Sequence, residues 1–316
     1  MNDVTYLDAD AVVAALTPAE AVAALREALA GDFDPADDIP RTIADISAGN
    51  MIFMPSELGA WVGVKLVGVS VDNPDHGLPR IQGQYLMYAA ETLQLRTVID
   101  GAALTTLRTP AVSVAAVEPA LSRFTGPVRV VVFGAGPQGV GHVDTLREVL
   151  DVDLADVAFV VRHPDRVTAG VRERGRVIAA TTAEANAALR EADIVVTATT
   201  ASSPLFDGDL VREGAIVMAC GSHDPHAREL PASLFSRSAV VVEDVGTALR
   251  ECGDVVLAIT DGALDAETLI TMKQLSTGEV VVDDDRTLIF KGSGMSWEDL
   301  AVAARLTEEA SAASAG

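Results

Sequence analysis

The chain has few cations, few cysteines and no long apolar run. Only 23 of its 316 residues are lysine or arginine, against 46 aspartates and glutamates, and the formal net charge is −23. So acidic a chain argues against nucleic acid and anionic membranes as partners. The two cysteines, Cys220 and Cys252, show no metal-ligand spacing. We therefore expect no metal site, and two thiols in so long a chain favour a reducing compartment.

Signals for membrane insertion and export are missing as well. No apolar run reaches the roughly 18 residues that a transmembrane helix needs. The start, M-N-D-V, is acidic and lacks the basic region of a signal peptide. We therefore expect a cytoplasmic protein. Its 49% hydrophobic content and its length suffice for two domains with a sizeable core.

The most informative stretch is V-R-V-V-V-F-G-A-G-P-Q-G at residues 128–139, which a helical pattern follows over residues 140–150. In a strand–turn–helix unit of this kind, Gly134 permits a tight turn and Gly136 lets the backbone approach a pyrophosphate. Gly139 lets the helix pack closely on the strand. The helix N-terminus then offers free N–H groups to the phosphates. The pattern predicts a dinucleotide site, and the alternative is an ordinary turn between a strand and a helix.

The two halves of the chain differ in their hydrophobic patterning. An amphipathic helical pattern over residues 9–30 precedes short strands at 51–54, 61–71, 81–88 and 95–99 and a long helix at 102–120. Further strands follow at 128–133, 157–162, 177–180, 193–198, 215–219 and 239–243, with helices between them. A helix-rich stretch, a strand pair near Val280 and residues 288–290, and a helix from Ser296 complete the chain. The alternation predicts an α/β protein with a doubly wound parallel sheet.

The chain contains two long motifs, D-G-A-A-L-T-T-L-R-T at residues 100–109 and F-K-G-S-G-M at residues 290–295. Both resemble motifs of the ornithine cyclodeaminase/mu-crystallin family. Shorter similar motifs are P-R-T at 40–42, G-V-K at 63–65, G-L-P at 77–79, G-S-H-D-P at 221–225, R-E-L at 228–230, C-G-D at 252–254 and E-D at 298–299. The resemblance covers nearly the whole chain.

This resemblance implies two domains and a homodimer. A Rossmann-type NAD(P)-binding domain is expected over residues 121–294. The second domain, of α+β type, is expected over residues 1–120 and completed by the C-terminal helix at 295–316. It binds the substrate and pairs with the same domain of the other subunit.

Three cations carry the substrate site that the resemblance implies. Arg41, Lys65 and Arg108 match the family residues that bind the α-carboxylate of the substrate, and Lys65 is also expected to be catalytic. Guanidinium and ammonium groups suit a carboxylate that enters a desolvated cleft. Lys65 lies in the apolar run V-G-V-K-L-V-G-V. It is either an edge residue facing water or a buried group with an anionic partner. The alternative for Arg108 is an ordinary surface arginine.

Other residues are expected near the substrate. The glycine-rich loop with Gly292 and Ser293 is implied to bring backbone close to the nicotinamide or the substrate. Side chains that we expect to line the pocket are Met54, Trp61, Gln82, Gln84 and Tyr85.

The end of the second strand of the dinucleotide fold bears on the choice of cofactor. NAD-preferring sites usually place an acidic residue there for the ribose hydroxyls, but this chain has Val161, followed by Arg162, His163 and Arg166. Cations attract a 2′-phosphate, so we expect NADP(H), with NAD(H) possible. The alternative is that Arg162 only stacks on adenine. Further expected cofactor-binding residues are Thr109, Gly134, Gly136, Pro137, Gln138, Gly139, Thr197 and Thr199.

His223 and Asp224 are the candidates for proton transfer. Cyclodeaminases of the family carry an aspartate two residues after the glycine that aligns with Gly221, where this chain has His223. A histidine does not pair with an ammonium as a carboxylate does, which weakens the case for ornithine cyclisation. Its ordinary pKa near neutrality suits proton delivery. Asp224 takes the carboxylate role if the alignment shifts by one residue, or else His223 is a structural loop residue.

These residues predict an NAD(P)H-dependent reductase of cyclic α-imino acids, such as Δ1-pyrroline-2-carboxylate or Δ1-piperideine-2-carboxylate, which yields L-amino acids. An open-chain imine is a close relative of this substrate. One alternative is a cyclodeaminase of ornithine or lysine that recycles tightly held NAD. The other is a non-catalytic ligand-binding protein of the mu-crystallin kind, although a pure binder has no need for three converging cations.

Overall fold

The computed structural model describes residues 4–315, without the side chains of Pro74 and of residues 311–315. Residues 1–3 and 316, and with them the acidic start, lie outside the described part. The chain forms two compact units, the described parts of Met1–Arg108 with Met295–Gly316, and Thr109–Gly294. Their division falls inside helix α3 (Gly101–Leu121), whereas the sequence places the domain boundary at residue 120, near the end of this helix.

The first unit contains a six-stranded sheet in the order β1-β6-β5-β4-β3-β2. Its strands are β1 (Thr5–Leu7), β2 (Thr42–Ile46), β3 (Gly49–Leu58), β4 (Trp61–Val69), β5 (Ile81–Ala89) and β6 (Gln94–Asp100). Strands β2 to β6 are antiparallel neighbours, and β1 is parallel to β6. The sequence predicted the four longer strands, but not β1 and β2, which lack an apolar run.

Three helices pack within this unit: α1 (Ala9–Ala15), α2 (Pro18–Ala30) and the last helix of the chain, α11 (Ser296–Ala315). Helix α11 contacts β3, β4, β5, α1 and α2. The single helical pattern over residues 9–30 is two helices, because a capping box starts α2 afresh. The hydroxyl of Thr17 accepts the Glu20 N–H, and the Glu20 carboxylate accepts the Thr17 N–H.

The sheet of the first unit has two different faces. Alternate residues of β3, β4 and β5, such as Met54, are buried on the face that α11 contacts. The register places another set of side chains together on the opposite face, all half-buried or exposed: Tyr6, Ile46, Phe53, Val64, Leu66 and Leu86. This second face therefore carries several apolar side chains, although α11 packs on the other face.

The second unit contains an eight-stranded, all-parallel sheet in the order β13-β12-β14-β11-β10-β7-β8-β9. Its strands are β7 (Val128–Phe133), β8 (Leu154–Val161), β9 (Arg176–Ala179), β10 (Ile194–Thr197), β11 (Ile216–Ala219), β12 (Ser238–Val242), β13 (Ile270–Thr271) and β14 (Thr287–Lys291). Its remaining helices are α4 (Pro137–Val149), α5 (Ala169–Arg174), α6 (Ala183–Glu191), α7 (Ala232–Phe235), α8 (Val245–Glu251), α9 (Gly253–Thr260) and α10 (Met272–Ser276). The predicted α/β class and Rossmann-type sheet are confirmed.

One predicted strand is wrong. Val280 belongs to no strand: its N–H donates to the carbonyl of Gln274, and the next residue, Val281, is 83% exposed. The chain turns at Gly278, whose φ of +74° few other residues adopt. The apolar V-V-V run therefore belongs to a surface connection, and the strand next to β12 at the sheet edge is β13 instead.

The order of the strands fixes where a ligand can bind in the second unit. From β7 the chain proceeds to β8 and β9 on one side and to β10 and β11 on the other. The carboxyl ends of β7 and β10 therefore flank the point where the strand order reverses, which is where doubly wound sheets bind dinucleotides. Within the described part of the chain, no helix combines the length and apolar composition that crossing a membrane requires.

Candidate active site

Lys65 and Arg108 meet at one carboxylate inside the first unit. The Lys65 Nζ donates to Asp299 Oδ1 at 2.9 Å, and the Arg108 Nε donates to the same oxygen at 3.1 Å. Arg108 Nη1 also donates to Glu298 Oε2 at 2.6 Å. All four side chains are buried. Lys65 is therefore the buried lysine with an anionic partner, and Arg108 is not a surface arginine.

The balance of charge in this cluster explains how it can be buried. The two cations face two carboxylates, so their formal charges cancel. Burial nevertheless lowers the pKa of Lys65 to about 8, against the opposing attraction of Asp299. Burial by itself raises the pKa of Asp299, but Arg108 and Lys65 outweigh it and hold that pKa below its ordinary value. Lys65 therefore keeps its proton at neutral pH but releases it more readily than an exposed lysine.

Tyr85 lies beside Lys65 on the neighbouring strand, in direct register. Burial raises the pKa of its hydroxyl well above the ordinary value, and the Asp299 charge adds to this. Within the described residues, neither this hydroxyl nor Asp299 Oδ2 has a hydrogen-bond partner. A Cβ at Gly63 would lie 2.1 Å from the Tyr85 hydroxyl, so only glycine fits there. The cluster thus contains buried polar atoms with unused hydrogen-bonding capacity.

The structure divides the predicted pocket residues between the two faces of the sheet. Met54 and Tyr85 lie directly opposite Lys65, on its face. Gln82 and Gln84 lie on the opposite face, because side chains alternate along β5, and both are exposed. That they line the substrate pocket stays a prediction.

Arg41, the third predicted cation, belongs to the same unit as the cluster. Arg41 precedes β2 and is half-buried; its neighbour Thr42 pairs with Phe53 of β3. Asp38, three residues earlier, accepts the Trp297 N–H at 2.9 Å at the start of α11. Trp61, the last predicted pocket residue, is half-buried at the start of β4.

The glycine-rich turn of the second unit has the form that a dinucleotide site requires. Gly134 has φ +107°, and a Cβ there would lie 2.5 Å from the carbonyl oxygen of Ala198. A Cβ at Gly139 would lie 2.5 Å from the carbonyl oxygen of Gly134. Nothing lies within 4 Å of a Cβ at Gly136, which is the N-cap of α4 and provides no side-chain cap. The start of α4, with Pro137 and Gln138, thus leaves open space where a pyrophosphate would bind.

Three polar residues follow the end of β8. Val161 is its last residue, and Arg162, His163 and Arg166 are all exposed. Within residues 4–315, neither Arg162 nor Arg166 forms a side-chain ion pair. Both guanidinium groups are thus available to an anionic ligand.

The hydroxyls of Thr197 and Thr199 point at a carboxylate of the protein itself. Thr197 Oγ1 donates to Glu229 Oε2 at 3.1 Å, and Thr199 Oγ1 donates to Glu229 Oε1 at 2.7 Å. The Thr199 N–H donates to that oxygen too, at 2.8 Å. Their predicted contact with the cofactor therefore stays a prediction. The same holds for Thr109, which is half-buried in α3 and whose carbonyl accepts the Ser113 hydroxyl.

The loop after β11 carries His223 and Asp224, both exposed. Asp224 Oδ1 accepts the His226 N–H at 2.9 Å. The loop after β14 carries Gly292 and Ser293. Strands β11 and β14 are parallel neighbours, so the two loops lie at the same edge of the sheet.

Another buried carboxylate, Glu243, holds the loop after β14. Its Oε2 accepts both the N–H and the hydroxyl of Ser293 at 2.9 Å, and its Oε1 accepts the Gly294 N–H at 2.8 Å. Sequence reasoning assigned no role to Glu243 or Glu229. For Glu243, the signal in the sequence was an acidic residue directly after the apolar residues 239–242. No group of three or more His, Cys, Asp or Glu side chains in the described part is arranged to hold a metal.

Comparison with known proteins identifies the family. The family model described as "Ornithine cyclodeaminase/mu-crystallin family" matches residues 4–314. A Δ(1)-pyrroline-2-carboxylate reductase of Bacillus cereus is 30% identical over 256 residues, which cover 79% of this chain and 77% of that protein.

Two solved structures have the same fold. One is the Δ(1)-pyrroline-2-carboxylate reductase of Thermococcus litoralis in complex with NADH and L-proline, with a TM-score of 0.84, 21% identity and 98% of both chains covered. The other is an archaeal alanine dehydrogenase dimer with bound NAD, with a TM-score of 0.82, 23% identity, and 98% of this chain and 97% of that chain covered. At these identities the likeness concerns the fold alone. The match of the family model over nearly the whole chain shows that the protein belongs to the ornithine cyclodeaminase/mu-crystallin family.

Proposed function

We propose that this protein is an NAD(P)H-dependent reductase of cyclic α-imino acids of the Δ1-pyrroline-2-carboxylate or Δ1-piperideine-2-carboxylate type, which it converts to L-amino acids. The observation that carries the proposal is the buried convergence of Lys65 and Arg108 on Asp299. Support comes from the dinucleotide turn at residues 134–139 and from the relative of Bacillus cereus named for this reaction.

Charge balance bears on how the α-carboxylate binds. Lys65 and Arg108 are already neutralised by Asp299 and Glu298, so a substrate carboxylate adds one negative charge to a neutral cluster. A third cation offsets that charge, and we assign this role to Arg41. The planar guanidinium of Arg108 and the ammonium of Lys65 donate hydrogen bonds to the carboxylate oxygens.

The imine nitrogen must carry a proton, because an iminium accepts hydride far better than a neutral imine. Burial brings the pKa of Lys65 to about 8, so this residue holds a transferable proton near neutral pH. His223 and Asp224, exposed in the loop after β11, are the alternative donors. When bound, the reduced nicotinamide supplies the hydride that the imine carbon accepts.

We further propose that NADP(H) is preferred and NAD(H) is usable. Support comes from Val161 at the end of β8 and from the exposed Arg162 and Arg166 that follow. A 2′-phosphate gains charge-assisted hydrogen bonds from such guanidinium groups, and no acidic side chain at position 161 repels it.

Two further proposals concern the oligomeric state of the protein and its cellular compartment. A second copy is expected to cover the face of the six-stranded sheet opposite α11, which includes the apolar side chains of Phe53 and Leu66, so that the protein is a homodimer. The related alanine dehydrogenase is described as a dimer. Cys220 and Cys252 are free thiols, which suits the reducing cytoplasm.

The proposal is tested by the rate at which the purified protein oxidises NADPH and NADH with each of the two cyclic imino acids. We expect fast oxidation that favours NADPH. No oxidation, together with release of ammonia from L-ornithine or L-lysine in the presence of catalytic NAD, would contradict the proposal and favour a cyclodeaminase.

A further inference from the structure

The loop with His223 and Asp224 is anchored at both ends by buried charges. We name Lys291, Asp254 and Glu229 the buried triad; all three side chains are completely inaccessible to solvent. They come from the end of β14, the first turn of α9 and the segment before α7.

The first end of the loop is bound by two members of the triad. Glu229 Oε2 accepts the Gly221 N–H at 2.8 Å. The Nζ of Lys291 donates to the carbonyl oxygen of Ser222 at 2.5 Å. The peptide that leads into His223 and the peptide that leads into Gly221 are therefore both bound to buried charged atoms.

The second end is bound by the third member. Asp254 Oδ1 accepts the N–H groups of Glu229 and Leu230, each at 2.8 Å. Asp254 Oδ2 lies 3.5 Å from the Lys291 Nζ, so one cation links the two ends. A Cβ at Gly253 would lie 2.3 Å from the carbonyl oxygen of Asp224, which shows that α9 packs directly against the loop.

Such an arrangement specifies a backbone conformation. Buried ion pairs add little stability over apolar packing of the same volume. However, a buried charge that loses a hydrogen bond costs free energy, so its partners are held in place. Each member of the triad binds the main chain at one end of the loop, and Glu229 also accepts the N–H of Thr199, two residues after β10. No exposed atom of the triad is available to a ligand.

We infer that the buried triad positions His223 and Asp224 for proton transfer. The proton-transfer role of these two residues rests on the proposed function. The triad residues are positioning residues and touch no substrate. The loop conformation depends on them before any ligand binds, so it can be tested apart from activity.

Glu229→Gln is the principal test. A glutamine offers one acceptor oxygen, so either the Gly221 N–H or the Thr199 N–H loses its partner. We expect amide hydrogen exchange over residues 221–228 of the free protein to accelerate roughly tenfold, and kcat for the imino acid to fall by a similar factor. KM for the imino acid should change less than about threefold, because its carboxylate is bound by Arg108 and Lys65.

Glu213→Gln is the matched control. Glu213 is an exposed carboxylate in the same unit, before β11, so its neutralisation should leave exchange, kcat and KM unchanged. If Glu229→Gln does not fold, Asp254→Asn takes its place: it keeps an acceptor for the two backbone N–H groups but loses the attraction of Lys291. We expect Asp254→Asn to accelerate exchange over residues 221–228 and to lower kcat, each by a smaller factor than the loss of an acceptor in Glu229→Gln.

The inference fails if a folded variant shows wild-type exchange over residues 221–228, or faster exchange with wild-type kcat. A wild-type protein that reduces no imine contradicts the proposed function instead. In that case, faster exchange in the variants still establishes that the triad fixes the loop, and unchanged exchange overturns the inference as well.

Discussion

Each of the two units buries a lysine among carboxylates, and the two lysines differ in what surrounds them. In the first unit, burial lowers the pKa of Lys65 to about 8. In the second, burial also opposes the charge of Lys291, but Asp254 and other nearby groups outweigh it and raise its pKa. Within the described residues, Lys65 donates a hydrogen bond to the Asp299 side chain of α11, whereas Lys291 donates one to a backbone carbonyl.

The difference separates a site that can accept a ligand from a network that holds a backbone. The Lys65 cluster retains buried atoms without hydrogen-bond partners among the described residues, on Tyr85 and Asp299. In the buried triad, Glu229 accepts four hydrogen bonds. Asp254 Oδ2 has no hydrogen-bond partner among the described residues, but it lies 3.5 Å from the Lys291 ammonium. A group whose bonding capacity is filled by the protein positions other residues, and a group with spare capacity and a shifted pKa is a candidate for chemistry.

The largest expected effect is on kcat/KM and comes from replacing Lys65, the buried lysine of the first unit. Lys65→Ala removes a carboxylate ligand and a proton source, so kcat/KM for the imino acid should fall by about 10²–10⁴-fold. Steady-state rates with NADPH measure this. Lys273→Met, which changes a lysine outside both buried clusters, is the control and should change kcat/KM less than about threefold. Wild-type turnover by Lys65→Ala would remove Lys65 from the mechanism.

The pH dependence of kcat/KM tests whether the proton of Lys65 takes part in the reaction. Because the proton of Lys65 is needed and its pKa is about 8, kcat/KM should be full below that pH and fall as the pH rises through it. An ordinary lysine would hold its activity to about pH 10. A pH–rate profile that stays flat up to that higher value would show that Lys65 does not titrate as the buried cluster requires.

The next effect concerns the cofactor. Arg162→Ala should raise KM for NADPH by roughly 10–100-fold, the value of a charge-assisted hydrogen bond, and change KM for NADH little. Arg190→Ala, at an exposed arginine on α6, controls for the loss of surface charge. An equal loss with both cofactors would instead favour stacking of Arg162 on adenine.

The smallest effect separates two glycines of one turn. Gly139→Ala forces a Cβ to within 2.5 Å of a backbone oxygen, so the free energy of unfolding should fall by about 1–3 kcal/mol. Gly136→Ala meets no atom within 4 Å and should cost less than about 1 kcal/mol, yet weaken NADPH binding. Denaturant unfolding and fluorescence titration measure the two quantities. A Gly136 variant with unchanged NADPH affinity would contradict the assigned pyrophosphate site.

The sequence predicted the family and the fold class, and it named Arg41, Lys65 and Arg108 as candidate cations, because each depends on local pattern or on motifs. It did not predict that Lys65 and Arg108 share Asp299, which lies more than 190 residues from either along the chain. The hydroxyl partner of Thr199 was missed for the same reason: it is a carboxylate beyond the next strand. That Gln82 and Gln84 lie on the face opposite Lys65 did not follow from the sequence either, because the register between strands is a tertiary property.

The most direct test of the central claim is a crystal structure with NADP⁺ and L-proline, the product of pyrroline-2-carboxylate reduction. The account predicts that the carboxylate of proline lies about 3 Å from donors of Lys65 and Arg108. A carboxylate bound elsewhere, with Lys65 and Arg108 still engaged only by Asp299 and Glu298, would contradict it.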